Sequence, residues 1–293
     1  MSNFQLFAAC VAIWGSTWLA ITFQLGRVAA EASVFYRFLL ASLLLFAYCR
    51  ARRLPLAYRP EQHAWIALQG VLMFSVSYIY VYYAEENVVS GLVAVGYSAS
   101  PLLSMLGMRL FFRTPMTRAM TAGSILGIAG ITLVFWPEFA HLQGDQRTAA
   151  GAAYTVAAVL ISTLGSMVAH RNHEAHVPLW QNMAWGMLYG AIFSLGVTLA
   201  TGKSLALELS APYVLSLLYL AVLGSIVAFA GYLTLLKRIG VARSGYIGVM
   251  VPIVALVISA AFEGFRWHAL TGVGIAISVA GNVIVLRRRS AAG

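Results

Sequence analysis

Charge is scarce in this 293-residue chain: Asp, Glu, Lys and Arg make up 10% of it, while 61% is apolar. Soluble domains are about a quarter charged and about half apolar. A water-facing surface with so little charge would leave large greasy patches exposed, which excludes a soluble globular domain. Disorder is excluded because it needs low hydrophobicity. Cysteine is nearly absent, and Cys10 and Cys49 both lie in apolar runs, so no disulfide framework is expected. No polar stretch is long enough for a soluble domain. The strict apolar/polar alternation of membrane β-strands is also missing, which removes a β-barrel. The opening MSNFQLFAAC has neither a basic n-region nor a following small-residue cleavage site, so no removable signal peptide is expected.

What the chain does have is hydrophobic length. About 20 apolar residues cross a bilayer as a helix, and the sequence divides into ten such segments: 4–24, 32–49, 64–84, 88–110, 119–136, 149–169, 179–200, 212–235, 242–262 and 268–286. The expected fold class is an all-α polytopic membrane protein with ten transmembrane helices. Pro55, Pro60, Pro115, Pro137, Pro178 and Pro212 fall in the connections, where proline belongs. Lys and Arg divide unequally between the two sides. The side holding the N-terminus collects 14, the other only Arg27, Arg147, Lys203 and Arg266, with Arg37 just inside span two. The positive-inside rule then places both termini in the cytoplasm. The net charge of +10 follows from that topology and from contact with anionic lipid. A nucleic-acid binder would instead gather its basic residues on one solvated face, so no nucleic-acid partner is expected.

The two halves echo each other. Gly15-Ser16 returns as Gly165-Ser166, Ser90-Gly91 as Ser244-Gly245, Pro101 as Pro252, Gly123 as Gly274, and Ala129-Gly130 as Ala280-Gly281, all 150 to 154 residues on and in the same order. This predicts two five-helix repeats, 1–143 and 144–293, in one membrane-embedded unit. Five is odd, so the second copy enters the membrane upside down. Inverted repeats belong to transporters that hold a small-molecule substrate near the midplane and rock around it. Pro101 and Pro252 lie well inside their spans, where each frees a carbonyl four residues earlier, at Tyr97 and Gly248. With Gly91 and Gly245 they are the candidate hinges.

Ionisable residues are the next place to look for chemistry, since burying one in lipid is costly. Arg37 lies about five residues into span two, near enough to the rim to snorkel. Glu85, Glu86 and Glu263 map to outer helix ends, and all six histidines map to rims or loops. Mid-depth positions hold rings and hydroxyls instead. The candidate substrate-binding residues are Trp14, Ser16, Trp18, Tyr78, Tyr82, Tyr97, Ser100, Ser166, Trp185 and Tyr232. Such a set suits an apolar or aromatic solute with a polar end, and helix packing is the competing reading for each residue. No catalytic set emerges: Gly-Tyr-Ser-Ala-Ser at 96–100 lacks the last glycine of a nucleophile elbow. The His170–His176 tract reads as a solvated loop rather than a metal site. Neither a cofactor nor a metal is expected. The pairs Gly123/Gly127 and Gly186/Gly190 permit close helix approach, here assigned to packing within a monomer.

The five-plus-five plan, the opening Trp14-Gly15-Ser16-Thr17, Arg37 early in span two, and the paired segments Ser90 to Ala129-Gly130 and Ser244 to Ala280-Gly281 together resemble the EamA-type permeases, the ten-helix branch of the drug/metabolite transporter superfamily. Within that branch the ring-rich spans look most like the bacterial YddG-type amino-acid exporters. The resemblance implies alternating-access efflux of aromatic amino acids and similar compounds across the bacterial inner membrane. It also implies a cavity formed by spans one to four and six to nine, with spans five and ten as supports. The small four-helix antiporters of the superfamily carry a glutamate in the first span; residues 4–24 here have none, so their proton exchange does not carry over. The expected function is export of amino acids with bulky or aromatic side chains. A carrier of nucleotide sugars or phosphorylated metabolites, or a drug transporter of the same fold, is the near alternative, disfavoured by the shortage of buried cations. An intramembrane enzyme is the distant one, disfavoured by the lack of convergent acids and bases at depth.

Overall fold

The computed structural model describes residues 1–113, 117–141, 146–244 and 246–289. Every regular element in them is helical. In chain order they are α1 (Asn3–Thr22), α2 (Ala30–Ala51), α3 (Pro60–Val71), α4 (Ser77–Glu85), α5 (Ser90–Tyr97), α6 (Ser100–Phe112), α7 (Arg118–His141), α8 (Gln146–Glu174), α9 (Leu179–Ala200), α10 (Ala211–Leu218), α11 (Ala228–Ser244), α12 (Tyr246–Phe262) and α13 (Ala269–Arg289). Seven continuous helical stretches are long and apolar enough to cross a membrane, and three shorter apolar helices, 121–137, 246–262 and 269–284, accompany them. At 1.5 Å per residue, 20 residues reach about 30 Å, the hydrocarbon thickness. Leu110, Ile125, Leu215 and Phe262 are exposed. A belt of such side chains is at home only in lipid. The protein is a polytopic membrane protein.

Local chemistry sets the ends. Ser2 and Gln5 form a reciprocal capping box at the start of α1, with bonds of 2.8 and 3.2 Å. Pro60 and Pro212 occupy first turns, where a missing N–H costs nothing. Two helices widen into π turns: Leu72–Val76 between α3 and α4, and Tyr219–Val227 between α10 and α11.

The helix pairing is self-similar. α1 packs on α11 and α12, as α8 packs on α4 and on α5 with α6. The pairs α2–α9, α5–α12 and α7–α13 complete the bundle. Exchanging 1–143 with 144–293 maps this pattern onto itself. The most extensive pair, α7–α13, is antiparallel and meets through glycine. A Cβ on Gly130 would lie 2.5 Å from the Gly274 carbonyl oxygen, and one on Gly281 would lie 2.5 Å from that of Gly123. Gly186 and Gly190 likewise face Gly70 and its π turn. Both glycine stripes are thus used inside the chain.

The two prolines singled out by sequence differ. Pro252 stands inside α12, as its position within a span predicts. At Pro101 the helical stretch is interrupted by a two-residue turn: α5 ends at Tyr97, α6 starts at Ser100, and the proline sits in the first turn of α6. The turn has both local and distant contacts. Ser98 Oγ donates to the Val95 carbonyl at 2.6 Å and lies 3.4 Å from Ser278 Oγ, and Asn282 Nδ2 donates to the Ser98 carbonyl at 3.4 Å.

Candidate functional site

The buried polar chemistry gathers where α1, α2, α4 and α5 converge. Arg37 enters from α2 and is 3% exposed. Its guanidinium lies over the Tyr78 ring, 4.5 Å from the centroid, with the Phe38 ring 5.2 Å away. A desolvated cation–π contact contributes about 2 kcal/mol. Arg37 Nε and Nη1 have no hydrogen-bond partner. One turn beyond Tyr78, the fully buried Tyr82 donates its hydroxyl to Gln24 Oε1 at 2.7 Å, leaving Gln24 Nε2 unpartnered. Glu85 closes the same helix. It is 7% exposed, and neither carboxyl oxygen has a partner. Arg37 and Glu85 both lie within electrostatic reach of the Tyr82 hydroxyl and of each other. Tyr97 completes the group, its ring 5.1 Å from that of Trp18 and its hydroxyl within reach of Tyr78 and Glu85.

Around this centre, the rim that carries the acidic residues is cross-linked by hydrogen bonds. Glu263, at the end of α12, accepts from the Ser90 N–H at 3.0 Å and from Ser90 Oγ at 2.6 Å, and Ser259 Oγ donates to it as well. The Gly91 N–H donates to Ser259 Oγ at 2.8 Å. Lys203 bonds the buried Glu31 at 2.8 Å and Tyr83 at 3.1 Å, while Tyr83 donates to Glu31. The bond to Glu31 holds the Lys203 ammonium above the ordinary lysine range, against the opposing pull of burial. Burial pushes the neighbouring Glu86 carboxyl up. The arrangement is a buried cluster of rings around one guanidinium and one carboxyl, beside a hydrogen-bonded rim.

Four of the ten sequence-selected binding residues, Trp18, Tyr78, Tyr82 and Tyr97, meet here. Trp14, Ser16 and Tyr232 form a neighbouring group between α1 and the π turn at 219–227. Trp14 Nε1 donates to the Gly224 carbonyl at 3.0 Å and its ring lies 5.6 Å from that of Tyr232, while Ser16 Oγ and the Tyr219 hydroxyl are 2.7 Å apart. Ser100 Oγ is buried without a partner, and Ser166 bonds back to the Ser162 carbonyl at 3.0 Å. Trp185 stands apart, at the basic rim. Its Nε1 donates to the Leu56 carbonyl and its ring packs edge-on against His63 and Phe46. Of the hinge positions, Gly91 is tightly packed, since a Cβ there would lie 2.7 Å from Ser259 Oγ. Gly245 lies outside the described residues. A cavity of about 560 Å³ between α5, α6, α7 and α8 is apolar almost throughout, and none of the ten residues lines it.

Sequence reasoning passed over Arg37, Glu85 and Gln24. Arg37 does not snorkel: the guanidinium is held inward by two rings. Glu85 stands at a helix end, as its position in the sequence predicts, but it is buried there. The available signal was Arg37 itself, a charge inside a span, which marks a functional site by default.

Comparison with known proteins agrees with this architecture. The model of the EamA-like transporter family matches the chain twice, over residues 3–136 and 149–287. The chain belongs to the EamA-like transporter family. Among its relatives, the uncharacterized inner membrane transporter YedA of Escherichia coli (strain K12) is 31% identical over 281 residues, covering 90% of this chain and 85% of that protein. A probable terminal-alkyne amino-acid exporter of Streptantibioticus cattleyicolor is 28% identical over 247 residues, 82% of this chain and 75% of the other. A crystal structure superposes with a TM-score of 0.70, covering 99% of this chain and 98% of that one at 16% identity, a likeness of fold alone. This EamA-family chain is therefore a transporter that spans a membrane.

Proposed function

We propose that this EamA-family transporter exports amino acids with bulky or aromatic side chains by alternating access. It works as a monomer of ten spans in a bacterial inner membrane, with both termini in the cytoplasm. Residues 1–143 and 144–293 act as inverted repeats, a reading supported by the self-similar helix pairing and the double family match. The observation that carries the substrate class is the convergence of Trp18, Tyr78 and Tyr97 with the buried Arg37. Rings supply area for an apolar side chain, and a guanidinium supplies a counter-charge for a carboxylate. The amino-acid exporter among the relatives supports the same class. Trp14, Ser16 and Tyr232 flank the path, Ser100 and Ser166 line its length, Trp185 stands at its basic mouth, and Pro101 and Pro252 with Gly91 and Gly245 accommodate the rocking.

The test is counterflow in proteoliposomes preloaded with unlabelled solute. Labelled phenylalanine, methionine and threonine are expected to accumulate, and a labelled nucleotide sugar is not. Accumulation of the nucleotide sugar alone would replace the amino-acid reading with its phosphorylated alternative.

A further inference from the structure

Arg37 and Glu85 are a basic and an acidic side chain, both more than nine-tenths buried and within electrostatic reach of each other, yet they form no ion pair. Buried charge of this kind is costly unless paired and hydrogen-bonded. The cation lies against the Tyr78 and Phe38 rings and keeps Nε and Nη1 without a partner. The carboxyl has both oxygens free to accept. Gln24 adds a spare amide donor at the same place. Two orphan donors on one side and two orphan acceptors on the other are complementary to one kind of solute: a small molecule with a carboxylate and an ammonium close together.

We propose that Arg37 and Glu85 form a zwitterion clamp, in which the substrate α-carboxylate bonds the Arg37 guanidinium and the α-ammonium bonds the Glu85 carboxylate. The inference rests on the amino-acid exporter reading and goes beyond it by naming the groups that recognise the backbone of the substrate. Tyr78, stacked under Arg37, fixes the guanidinium plane. The Trp18–Tyr97 pair, within reach of the same centre, receives the side chain. The clamp reads only the head group, so one site serves many side chains. Both charges are satisfied together when a zwitterion is bound, which disfavours solutes carrying only one of them.

The experiment is competition against labelled L-phenylalanine uptake in proteoliposomes. Two analogues each lack one charge: 3-phenylpropionate has no ammonium and phenethylamine has no carboxylate. A buried charge-assisted hydrogen bond is worth about tenfold or more in affinity, so both should compete at least about tenfold more weakly than phenylalanine with the wild-type protein. Glu85→Gln should erase the penalty on 3-phenylpropionate and keep that on phenethylamine. Arg37→Gln should do the reverse. The penalty each variant retains shows that its site is still folded. If the wild-type protein transports phenylalanine but accepts both analogues equally well, the clamp is overturned while the exporter reading stands. Equal loss of both discriminations in each variant would also overturn it. Failure of wild-type protein to take up any amino acid would remove both readings.

Discussion

The first and second halves of the chain share a shape but not a chemistry. Each half has a π turn in its third span, at 72–76 and at 219–227, and each lends a glycine to the other across α7–α13. Yet among the described residues the buried acidic and basic side chains belong to the first half. Gln24, Arg37 and Glu85 all precede residue 144, while α9, the counterpart of α2, has no charged residue between Leu179 and Ala200. At the 154-residue spacing that pairs Tyr78 with Tyr232, Tyr82 and Glu85 correspond to Leu236 and Ile239. Backbone packing constrains both copies alike, because each helix needs its partner. The site needs only one set of charged groups, and a second set buried in lipid would be a cost.

The sharpest way to break that comparison is at the shared glycines. Gly130→Leu and Gly281→Leu should each destabilise by about 3 kcal/mol, since overpacking against backbone leaves nothing to yield. Thermal unfolding in detergent should show similar losses for the two, and tolerance of one alone would mean the halves do not pack as equivalents. The unequal chemistry predicts the opposite pattern at the paired tyrosines. Tyr78→Ala should lower transport about tenfold through loss of the ring under Arg37, whereas Tyr232→Ala, which loses contact with Trp14, should cost less than about threefold. Equal losses would move the site toward the interface of the halves.

Smaller effects are expected at the acidic rim. Glu263→Gln weakens the charge-assisted bonds from the Ser90 N–H and hydroxyl and should lower stability by about 1–2 kcal/mol. The Lys203–Glu31 pair should contribute least, because Lys203 is 40% exposed and solvent screens it. Its pH dependence has a definite sign. The Lys203 pKa is raised on folding, so its contribution is present below the ordinary value of 10.5 and is lost as pH climbs through the raised one. The Tm difference between wild type and Lys203→Met should therefore be constant near neutral pH and fall away in strong alkali.

Much of the fold was legible because hydropathy and helix length are properties of the chain itself. Uninterrupted apolar runs, prolines in connections and glycines at a fixed spacing each had a physical reading before any contact was known. The rings were legible for the same reason, as large polar-edged side chains too deep to be interface anchors. The contacts made by the turn at Ser98–Ala99 were not, because Ser278 and Asn282 lie 180 and 184 residues further along the chain. Glu85 was missed for a related reason. Distance from a span end measures depth along one helix, whereas burial depends on how far the neighbouring helices extend. Trp185 shows the converse: a ring at helical spacing with Tyr189, held at the opposite rim by His63 and the Leu56 carbonyl.

The proposed alternating access about this buried cluster is tested most directly by distances across the two rims. Spin labels would be placed at Asn87 and Arg266 on the acidic rim, and separately at Glu61 and Arg238 on the basic rim. The buried Cys10 and Cys49 would first be replaced by alanine. The account predicts that adding phenylalanine to the reconstituted protein shifts the two distance distributions in opposite directions, one rim widening as the other closes. Distributions that stay fixed, or that widen together, would contradict it.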